Sequence, residues 1–120
     1  ERVISLDVLE PSNPVKNVEY VNASILDKKI IEEIISSIDY IHHNAALVPL
    51  TKSGNKFREV NVYGTKLIAD LAIKHKIKHL SHMSSSAVFG IPSELPLTNL
   101  SSRIPAEIYG TSKKDAEDIF

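Results

Sequence analysis

The stretch IKHLSHMSSS, residues 77–86, is an apolar run that ends in three serines. We interpret it as a β-strand whose carboxyl end carries hydroxyl groups. Residues 56–76, just before it, place apolar side chains on one helical face and end in Lys and His, which predicts a helix. Residues 106–120 predict another helix, after a loop that contains three prolines. A strand between two helices is the repeating unit of α/β folds.

The N-terminal part of the chain shows the same alternation. RVISLDV is rich in β-branched residues and predicts a strand that ends near Asp7, before the proline-rich stop EPSNP. VEYVNA, residues 18–23, predicts a second strand. Asp27 is then the expected N-cap of a helix, because isoleucines recur at helical spacing in KKIIEEIISSI.

A third strand is predicted in DYIHHNAA, residues 39–46. Strands that alternate with helices predict a doubly wound parallel α/β sheet of the Rossmann-like type. Such sheets bind ligands at the carboxyl ends of their strands. The candidate residues at those ends are Asp7, Ala45, Ala46, Ser84 and Ser85.

The composition narrows the classes of partner. The 120 residues carry 14 basic and 15 acidic side chains and have no basic stripe, so nucleic acid is not expected as a partner. The absence of cysteine excludes disulfides and thiolate chemistry and fits a reducing compartment. No apolar run approaches the ~20 residues that span a bilayer, and the N-terminus lacks a signal-peptide layout. We therefore expect a cytoplasmic protein with no membrane partner.

Tyr109 and Lys113 stand four residues apart in YGTSK, which places them on one face of the last predicted helix. A free tyrosine has a pKa of about 10, and a nearby cation lowers that pKa because it favours the phenolate. A decrease of about three units needs roughly 4 kcal/mol of preferential interaction with the phenolate. Ser85 could hydrogen-bond the same substrate oxygen. These three residues are the candidate group for proton transfer.

Each of these features also has a simpler explanation. A tyrosine–lysine pair at this spacing is unsurprising by chance, and serines after a strand are commonly loop or capping residues. Asp7 could accept hydrogen bonds from both hydroxyls of an adenosine ribose, or it could be a solvated turn aspartate. The complete order of strand, serines, loop, helix, tyrosine and lysine is more specific than any one part of it.

Three histidines, His75, His79 and His82, invite a metal interpretation that we reject. His75 and His79 are four residues apart, but the helix is expected to end near Lys76, so helical spacing does not hold between them. No carboxylate or cysteine completes a ligand set. A histidine near a helix C-terminus has a simpler electrostatic role. We expect no metal.

Four motifs in order resemble one known family. They are HHNAALVP, EVNVYGTKLIADLA, HMSSSAVFG and YGTSKKDAE. Over essentially its whole length the chain resembles the extended short-chain dehydrogenase/reductase superfamily and, within it, the NAD-dependent epimerase/dehydratases. Members have a Rossmann domain and a smaller C-terminal substrate domain. The resemblance implies that bound NAD oxidises a substrate carbinol and that the keto intermediate is then epimerised, dehydrated or reduced.

The resemblance implies roles for the candidate proton-transfer residues. Tyr109 resembles the catalytic base of the family. Lys113 resembles the lysine that binds the nicotinamide ribose and lowers the tyrosine pKa, so both residues are implied to contact the cofactor. Ser85, counted back from Gly90, falls at the position of the catalytic serine or threonine. Ser84 matches the serine before it, which lies beside the cofactor.

Further residues are implied to bind NAD. Ala45 and Ala46 resemble the small pair that lets the backbone approach the cofactor. Asn61, in NVYGT, matches the family's helix asparagine and is expected to have a partly structural role. Asp7 matches the ribose-binding acid and implies NAD rather than NADP.

The chain departs from the family pattern at single positions. Ser24 stands where the family usually has an aspartate that contacts the adenine. That contact is therefore expected from Ser24 or from the backbone of Ile25. Phe89 replaces a tyrosine, which removes one hydroxyl.

The 120 residues also lack a Gly-rich phosphate loop, since their four glycines form no G-x-x-G-x-x-G pattern. We therefore expect residues 1–120 to be a partial NAD-binding Rossmann domain of a longer enzyme, without its first strand and without the substrate domain. That first strand is expected between the strands of Asp7 and Tyr40, so its loss would split the sheet. Alone, the 120 residues are expected to bind NAD poorly and to have no turnover.

Three functions remain open from the sequence. The first is an NAD-dependent sugar-nucleotide epimerase or dehydratase, with a small-molecule substrate and a possible homodimer in the full-length protein. The second is an NAD(P)-dependent hydroxysteroid- or flavonol-type reductase. The third is a non-catalytic dinucleotide-binding relative. The set of Ser85, Tyr109 and Lys113 disfavours the third, because a protein that only binds has no need of the tyrosine. The first is preferred on frequency within the family.

Overall fold

The computed structural model describes residues 2–49 and 54–120. Within these ranges the chain forms four strands, at the places predicted from the sequence. They are β1 (Val3–Asp7), β2 (Val18–Asn22), β3 (Tyr40–His43) and β4 (His79–His82). β1 pairs with β2 and β3 pairs with β4, both in parallel. Parallel strands alternating with helices confirm the predicted α/β fold class.

The described ranges contain three α-helices and two other helical segments. They are α1 (Lys28–Ile35), a π-helix (Arg58–Gly64), α2 (Thr65–Lys74), a 3₁₀ helix (Ser86–Phe89) and α3 (Ile108–Glu117). Asp27 caps α1 as predicted, with its Oδ1 accepting a hydrogen bond from the Ile30 backbone N–H at 3.2 Å. None of these helices is long and apolar enough to cross a membrane.

The long helical pattern of residues 56–76 has two geometries rather than one. Its first part is the π-helix, which continues directly into α2. Apolar periodicity does not separate the two, because buried residues recur at intervals of three and four across the junction, at Val62, Thr65 and Ala69. The helix ends at Lys74, slightly before the predicted end, and Lys76 has a φ of 55°, which is incompatible with a continuing right-handed helix.

The three serines do not continue β4, contrary to the predicted strand over residues 77–86. β4 ends at His82, and Ser85 caps the 3₁₀ helix, with its Oγ accepting a hydrogen bond from the Ala87 backbone N–H at 3.2 Å. This four-residue helix was not predicted, since so short an element carries no periodic signal. The last helix likewise begins at Ile108 rather than at residue 106.

The two strand pairs do not hydrogen-bond to each other within the described residues. The space between β1 and β3 is an open groove of about 550 Å³, lined by both strands and by α1. Among the described residues the sheet is therefore divided between the strands of Asp7 and Tyr40.

The main hydrophobic core lies beneath α1 and α2. Its buried members are Ile25, Ile31, Ile35, Ile68 and Leu71. Ile31 and Ile35 share a face because they are four residues apart on α1. Each aliphatic side chain of this size stabilises the fold by about 1.5–3 kcal/mol when fully buried. The core thus holds α1 against α2 and sets the floor of the groove.

Candidate active site

Ser85 and Tyr109 lie on neighbouring elements because α3 packs directly on the 3₁₀ helix. Gly110 permits this approach, since a Cβ there would lie 2.4 Å from the Ala87 carbonyl oxygen. A backbone carbonyl cannot move aside as a flexible side chain can, so glycine is required at this position. The serine that follows β4 and the tyrosine at the start of α3 are thereby brought to one end of the strand.

Gly90 turns the proline-rich loop back towards the same place. Its φ is 62°, and a Cβ there would lie 2.0 Å from the Ile104 carbonyl oxygen. Arg103, near the end of the loop, forms ion pairs at the C-terminal end of α3. Its guanidinium lies 2.7 Å from a Glu117 carboxylate oxygen and 2.6 Å from an Asp118 carboxylate oxygen. The loop therefore returns the chain to the site before α3 begins.

Tyr109 is half-buried at the start of α3. Its ring meets the edge of the Phe57 ring, with the two centroids 6.0 Å apart and the planes at 62°. Its backbone carbonyl accepts a hydrogen bond of 2.7 Å from the Ser112 hydroxyl. An edge-to-face aromatic contact favours one ring orientation, so Phe57 helps to orient the predicted base.

Lys113 is buried, with 3% of its surface exposed. Its Nζ donates a hydrogen bond of 2.6 Å to the Met83 carbonyl oxygen and lies 3.5 Å from His82 Nε2. Burial lowers the pKa of Lys113, against the opposing effect of the nearby Glu117 carboxylate. The ammonium is thus held at the carboxyl end of β4, beside Met83, which stands two residues before Ser85.

Asn61 is a buried hydrogen-bonding centre on the π-helix, with 1% of its surface exposed. Its Oδ1 accepts from the Leu47 backbone N–H at 2.8 Å. Its Nδ2 donates to the Leu47 carbonyl oxygen at 3.1 Å and to the Ser112 hydroxyl at 3.0 Å. Asn61 therefore ties the loop after β3 to α3, the helix of Tyr109 and Lys113.

A second set of predicted residues lines the groove between β1 and β3. These residues are Asp7, Ile25, Ala45 and Ala46. Asp7 is exposed at the end of β1, and its Oδ1 accepts a hydrogen bond of 2.9 Å from the Leu9 backbone N–H. A carboxylate at the rim and a pair of small residues after β3 fit the ribose and the flat surface of a dinucleotide.

Two predicted cofactor residues have neighbours of their own. The Ser24 hydroxyl accepts from the Leu26 backbone N–H at 3.2 Å, and the Ile25 side chain is buried in the core. The Ser84 hydroxyl is buried near the Glu117 carboxylate without reaching hydrogen-bonding geometry with a described residue. Ser24 thus has a local backbone partner, the Ser84 hydroxyl is buried beside β4, and Ile25 contributes its side chain to the core.

The three histidines of the rejected metal interpretation lie in different surroundings, and His79 is exposed at the start of β4. His75 Nε2 lies 3.3 Å from the Glu32 carboxylate of α1. His82 packs between the rings of His43 and Phe120, with centroid separations of 5.0 and 5.4 Å. Across residues 2–49 and 54–120, no group of three or more His, Cys, Asp or Glu is arranged to hold a metal ion.

Residues 24–119 match the model of an NAD-binding domain family described as "Male sterility protein". The chain belongs to this NAD-binding family. Together with the relatives below, this confirms the resemblance to the NAD-dependent epimerase/dehydratases of the short-chain dehydrogenase/reductase superfamily. It also confirms, at the level of the family, that NAD is the cofactor.

Three curated relatives illustrate the range of the family. An uncharacterised protein, y4nG of Sinorhizobium fredii, is 39% identical over 98% of this chain and 29% of its own length. A UDP-glucose 4-epimerase of Halalkalibacterium halodurans is 28% identical over 100% of this chain and 38% of its own length. A 3β-hydroxysteroid dehydrogenase/Δ5→4-isomerase of vaccinia virus is 30% identical over 95% of this chain and 36% of its own length. The chain spans about a third of the length of these relatives.

Solved structures give the same fold. The dTDP-glucose 4,6-dehydratase DesIV of Streptomyces venezuelae, solved with NAD and TYD bound, has a TM-score of 0.89 and 25% identity over 98% of this chain and 40% of its own. The UDP-glucose 4-epimerase of Bifidobacterium longum, solved with NAD⁺ and UDP, has a TM-score of 0.86 and 29% identity over the same shares. The predicted Rossmann-like fold is confirmed.

Sequence reasoning missed the buried polar residues that surround the predicted site. His43 is 3% exposed and Thr65 is 1% exposed, and His43 Nε2 lies 2.9 Å from the Thr65 hydroxyl. Ser112 links Asn61 to Tyr109, as described above. Their only sequence signal is position, since each stands within a few residues of a predicted site residue.

Proposed function

We propose that this chain is the cofactor-binding part of an NAD-dependent epimerase or dehydratase that acts on a sugar nucleotide. The observation that carries the proposal is the packing of α3, which carries Tyr109 and Lys113, against the 3₁₀ helix that Ser85 caps. Ser85 stands three residues after the end of β4, the Lys113 ammonium donates to the Met83 carbonyl oxygen at 2.6 Å, and the close contact at Gly110 sets the start of α3 against the 3₁₀ helix. A strand end with these three groups suits proton transfer to and from a carbinol oxygen.

Each of the three side chains has its own role in this proposal. Tyr109 takes the proton of the substrate hydroxyl and returns it to the product. Ser85 hydrogen-bonds the same oxygen and fixes its position. Lys113 supplies the positive charge that favours the tyrosinate and binds a ribose hydroxyl. When bound, NAD supplies the hydride acceptor.

The groove residues are proposed to hold the adenosine end of the cofactor. Asp7 accepts hydrogen bonds from the ribose hydroxyls, and its charge disfavours a 2′-phosphate. The backbone beside Ile25 and the Ser24 hydroxyl lie near the adenine. Ala45 and Ala46 let the main chain approach the cofactor. Asn61 acts partly through the loop after β3, because its side chain is bonded to Leu47.

The substrate class rests on relatives. The epimerase of H. halodurans and the dehydratase DesIV are named for UDP-glucose and dTDP-glucose. Both reactions suit a site that oxidises a carbinol, holds a transient keto intermediate and then returns the hydride. We therefore propose a sugar nucleotide as the small-molecule substrate and the same keto intermediate.

A hydroxysteroid is the second candidate substrate. The vaccinia virus enzyme that is 30% identical over 95% of this chain is named for a 3β-hydroxysteroid. The proton-transfer residues serve either substrate, because both present a secondary alcohol. The non-catalytic alternative has no comparable support. A location in the cytoplasm, a homodimer and the extent of residues 1–120 as a partial Rossmann domain stay predictions.

The test supplies the full-length protein with NAD and with UDP-glucose, dTDP-glucose or a 3β-hydroxysteroid. The sugar nucleotide carries deuterium at the carbon that is oxidised, so that the hydride can be followed. In a single turnover we expect the nicotinamide to be reduced transiently. We expect product to form without net consumption of NAD. Steroid oxidation with stoichiometric reduced cofactor, and an unchanged sugar nucleotide, would support the second candidate instead. No turnover of either class, with NAD bound, would favour the non-catalytic relative.

A further inference from the structure

The surroundings of the Lys113 ammonium fix the proton positions on the neighbouring histidine. An ammonium only donates hydrogen bonds, so at 3.5 Å the His82 Nε2 must be the acceptor. The neutral imidazole of His82 then carries its proton on Nδ1. That Nδ1 is buried and has no hydrogen-bond partner among the described residues.

The next histidine in the stack has the opposite tautomer. The Thr65 hydroxyl donates its only proton to the Asn61 carbonyl oxygen at 2.7 Å. His43 Nε2 must therefore be the donor in its 2.9 Å contact with the Thr65 oxygen. His43 is bound in this way to Thr65 at the start of α2, and the Nε2 of His82 is left to Lys113.

The groups that surround His82 determine how readily its imidazole is protonated. Lys113 and Glu117 face it from α3, His43 faces it from β3, and the Phe120 ring covers its other side. Burial and the positive charge of Lys113 lower the pKa of His82, against the opposing effect of Glu117. The neutral form is the one that can accept from Lys113, and its share falls as the pH falls through that lowered pKa.

We propose that His82 is a positioning residue for Lys113: its neutral imidazole accepts one ammonium hydrogen, the Met83 carbonyl accepts a second, and the third is left for a ligand oxygen. The inference rests on the proposed role of Lys113 as a ribose-binding residue. With two hydrogens held, the ammonium cannot rotate freely, so the direction of the third is set by the protein. Protonation of His82 would place two cations 3.5 Å apart and release this hold.

The contact itself is tested by NMR on the full-length protein with ring-¹⁵N-labelled histidine. We expect His82 in the Nδ1–H tautomer, and we expect its titration midpoint to rise in Lys113→Met because the neighbouring charge is lost. Lys114→Met is the matched control, since it removes the same charge one residue later, where Lys114 pairs with Asp118 at 2.8 Å. An Nε2–H tautomer, or a midpoint unmoved by Lys113→Met, would overturn the inference.

The consequence for binding is tested with two variants of His82. Gln keeps an acceptor and does not titrate, whereas Leu keeps bulk and has no acceptor. We expect NAD to bind about fivefold to tenfold more weakly to His82→Leu and with near-normal affinity to His82→Gln. The affinity of the unmodified protein should fall as acid protonates His82, whereas that of His82→Gln should not, because glutamine does not titrate. Equal affinities of His82→Leu and the unmodified protein would contradict the proposal. Neither readout needs substrate turnover, so a failed epimerase assay leaves this test intact.

Discussion

The N-terminal strand pair (β1 and β2, residues 3–22) and the C-terminal half (residues 40–49 and 54–120) are built differently. No residue from 2 to 24 is buried, and the pair is tied by exposed contacts such as the 2.8 Å ion pair of Arg2 with Glu19. Exposed ion pairs of this kind contribute little, about 0–1 kcal/mol. Among the described residues, the buried polar and charged ones all lie in the C-terminal half: His43, Asn61, Thr65, Ser112 and Lys113.

The difference separates two tasks of the proposed site. Proton transfer needs side chains fixed to within fractions of an ångström, and buried, hydrogen-bonded groups supply that rigidity. Binding a ribose at a groove rim needs only an exposed carboxylate such as Asp7, whose hydroxyl partners arrive with the ligand. Changes in the C-terminal half should therefore affect rate or stability, whereas changes in the strand pair should affect cofactor preference.

The largest effect is expected for Tyr109→Phe in the full-length protein. Loss of a general acid–base group should lower kcat by about 100-fold or more, while the dissociation constant of NAD changes little. Tyr63→Phe is the matched control, because Tyr63 is 55% exposed on the π-helix. Near-normal turnover in Tyr109→Phe would reject Tyr109 as the base.

Alanine substitution of one asparagine in each region compares the stability of the C-terminal half with that of the strand pair. Asn61→Ala leaves the Leu47 N–H and carbonyl and the Ser112 hydroxyl without their buried partner, so the free energy of unfolding should fall by about 3 kcal/mol. Asn22→Ala removes only a 3.2 Å bond to the Val8 carbonyl oxygen in exposed surroundings and should cost no more than about 0.5 kcal/mol. Urea unfolding of both variants measures the difference. Equal losses of unfolding free energy in the two variants would mean that burial does not distinguish the C-terminal half from the strand pair.

The buried His43 should make stability depend on pH. Burial, with smaller contributions from His82, Lys113 and His42, lowers the pKa of His43 to about 4. Below about pH 6.5, the ordinary pKa of histidine, His43 is protonated in the unfolded chain but stays neutral in the folded protein. The free energy of unfolding therefore falls as the pH falls towards 4. At pH 5 the loss should be about 2 kcal/mol.

The variant His43→Gln isolates this effect. Glutamine can still donate to Thr65 but does not titrate, so the part of the pH slope between 6.5 and 4 that comes from His43 should disappear. The exposed His42→Gln, one residue earlier, is the control and should keep the slope. Denaturant midpoints measured across this pH range decide the outcome, and a slope that persists in His43→Gln would show that another group causes it.

Much of the fold could be predicted because strands and helices repeat their apolar residues at known spacing. The four strands and the cap at Asp27 were found this way. The π-helix and the 3₁₀ helix were not, since the first keeps the apolar face of an α-helix and the second is too short to show a period. Alternation along the chain is a local signal, and it was sufficient for the fold class.

The site could be predicted only in part, for a related reason. Motifs marked Ser85, which caps the 3₁₀ helix, and Tyr109 and Lys113 on α3, and these two elements pack against each other. The contacts that fix them join residues far apart in sequence, such as Asn61 with Ser112 and Lys113 with His82. No local pattern encodes such pairs, so the buried network became visible only in three dimensions.

The smallest effect on function is expected in the strand pair, for Asp7→Ala. Loss of hydrogen bonds to a charged acceptor should narrow the preference for NAD over NADP by about tenfold, which corresponds to about 1.4 kcal/mol. Folding should be nearly unaffected, because Asp7 is exposed and makes one 2.9 Å bond to the Leu9 N–H. Glu10→Ala, which removes a nearby exposed acid, is the control for net charge. Dissociation constants of both cofactors from the full-length protein test this. If the unmodified protein prefers NADP, the assignment of Asp7 is wrong, and the strand pair does not select the cofactor.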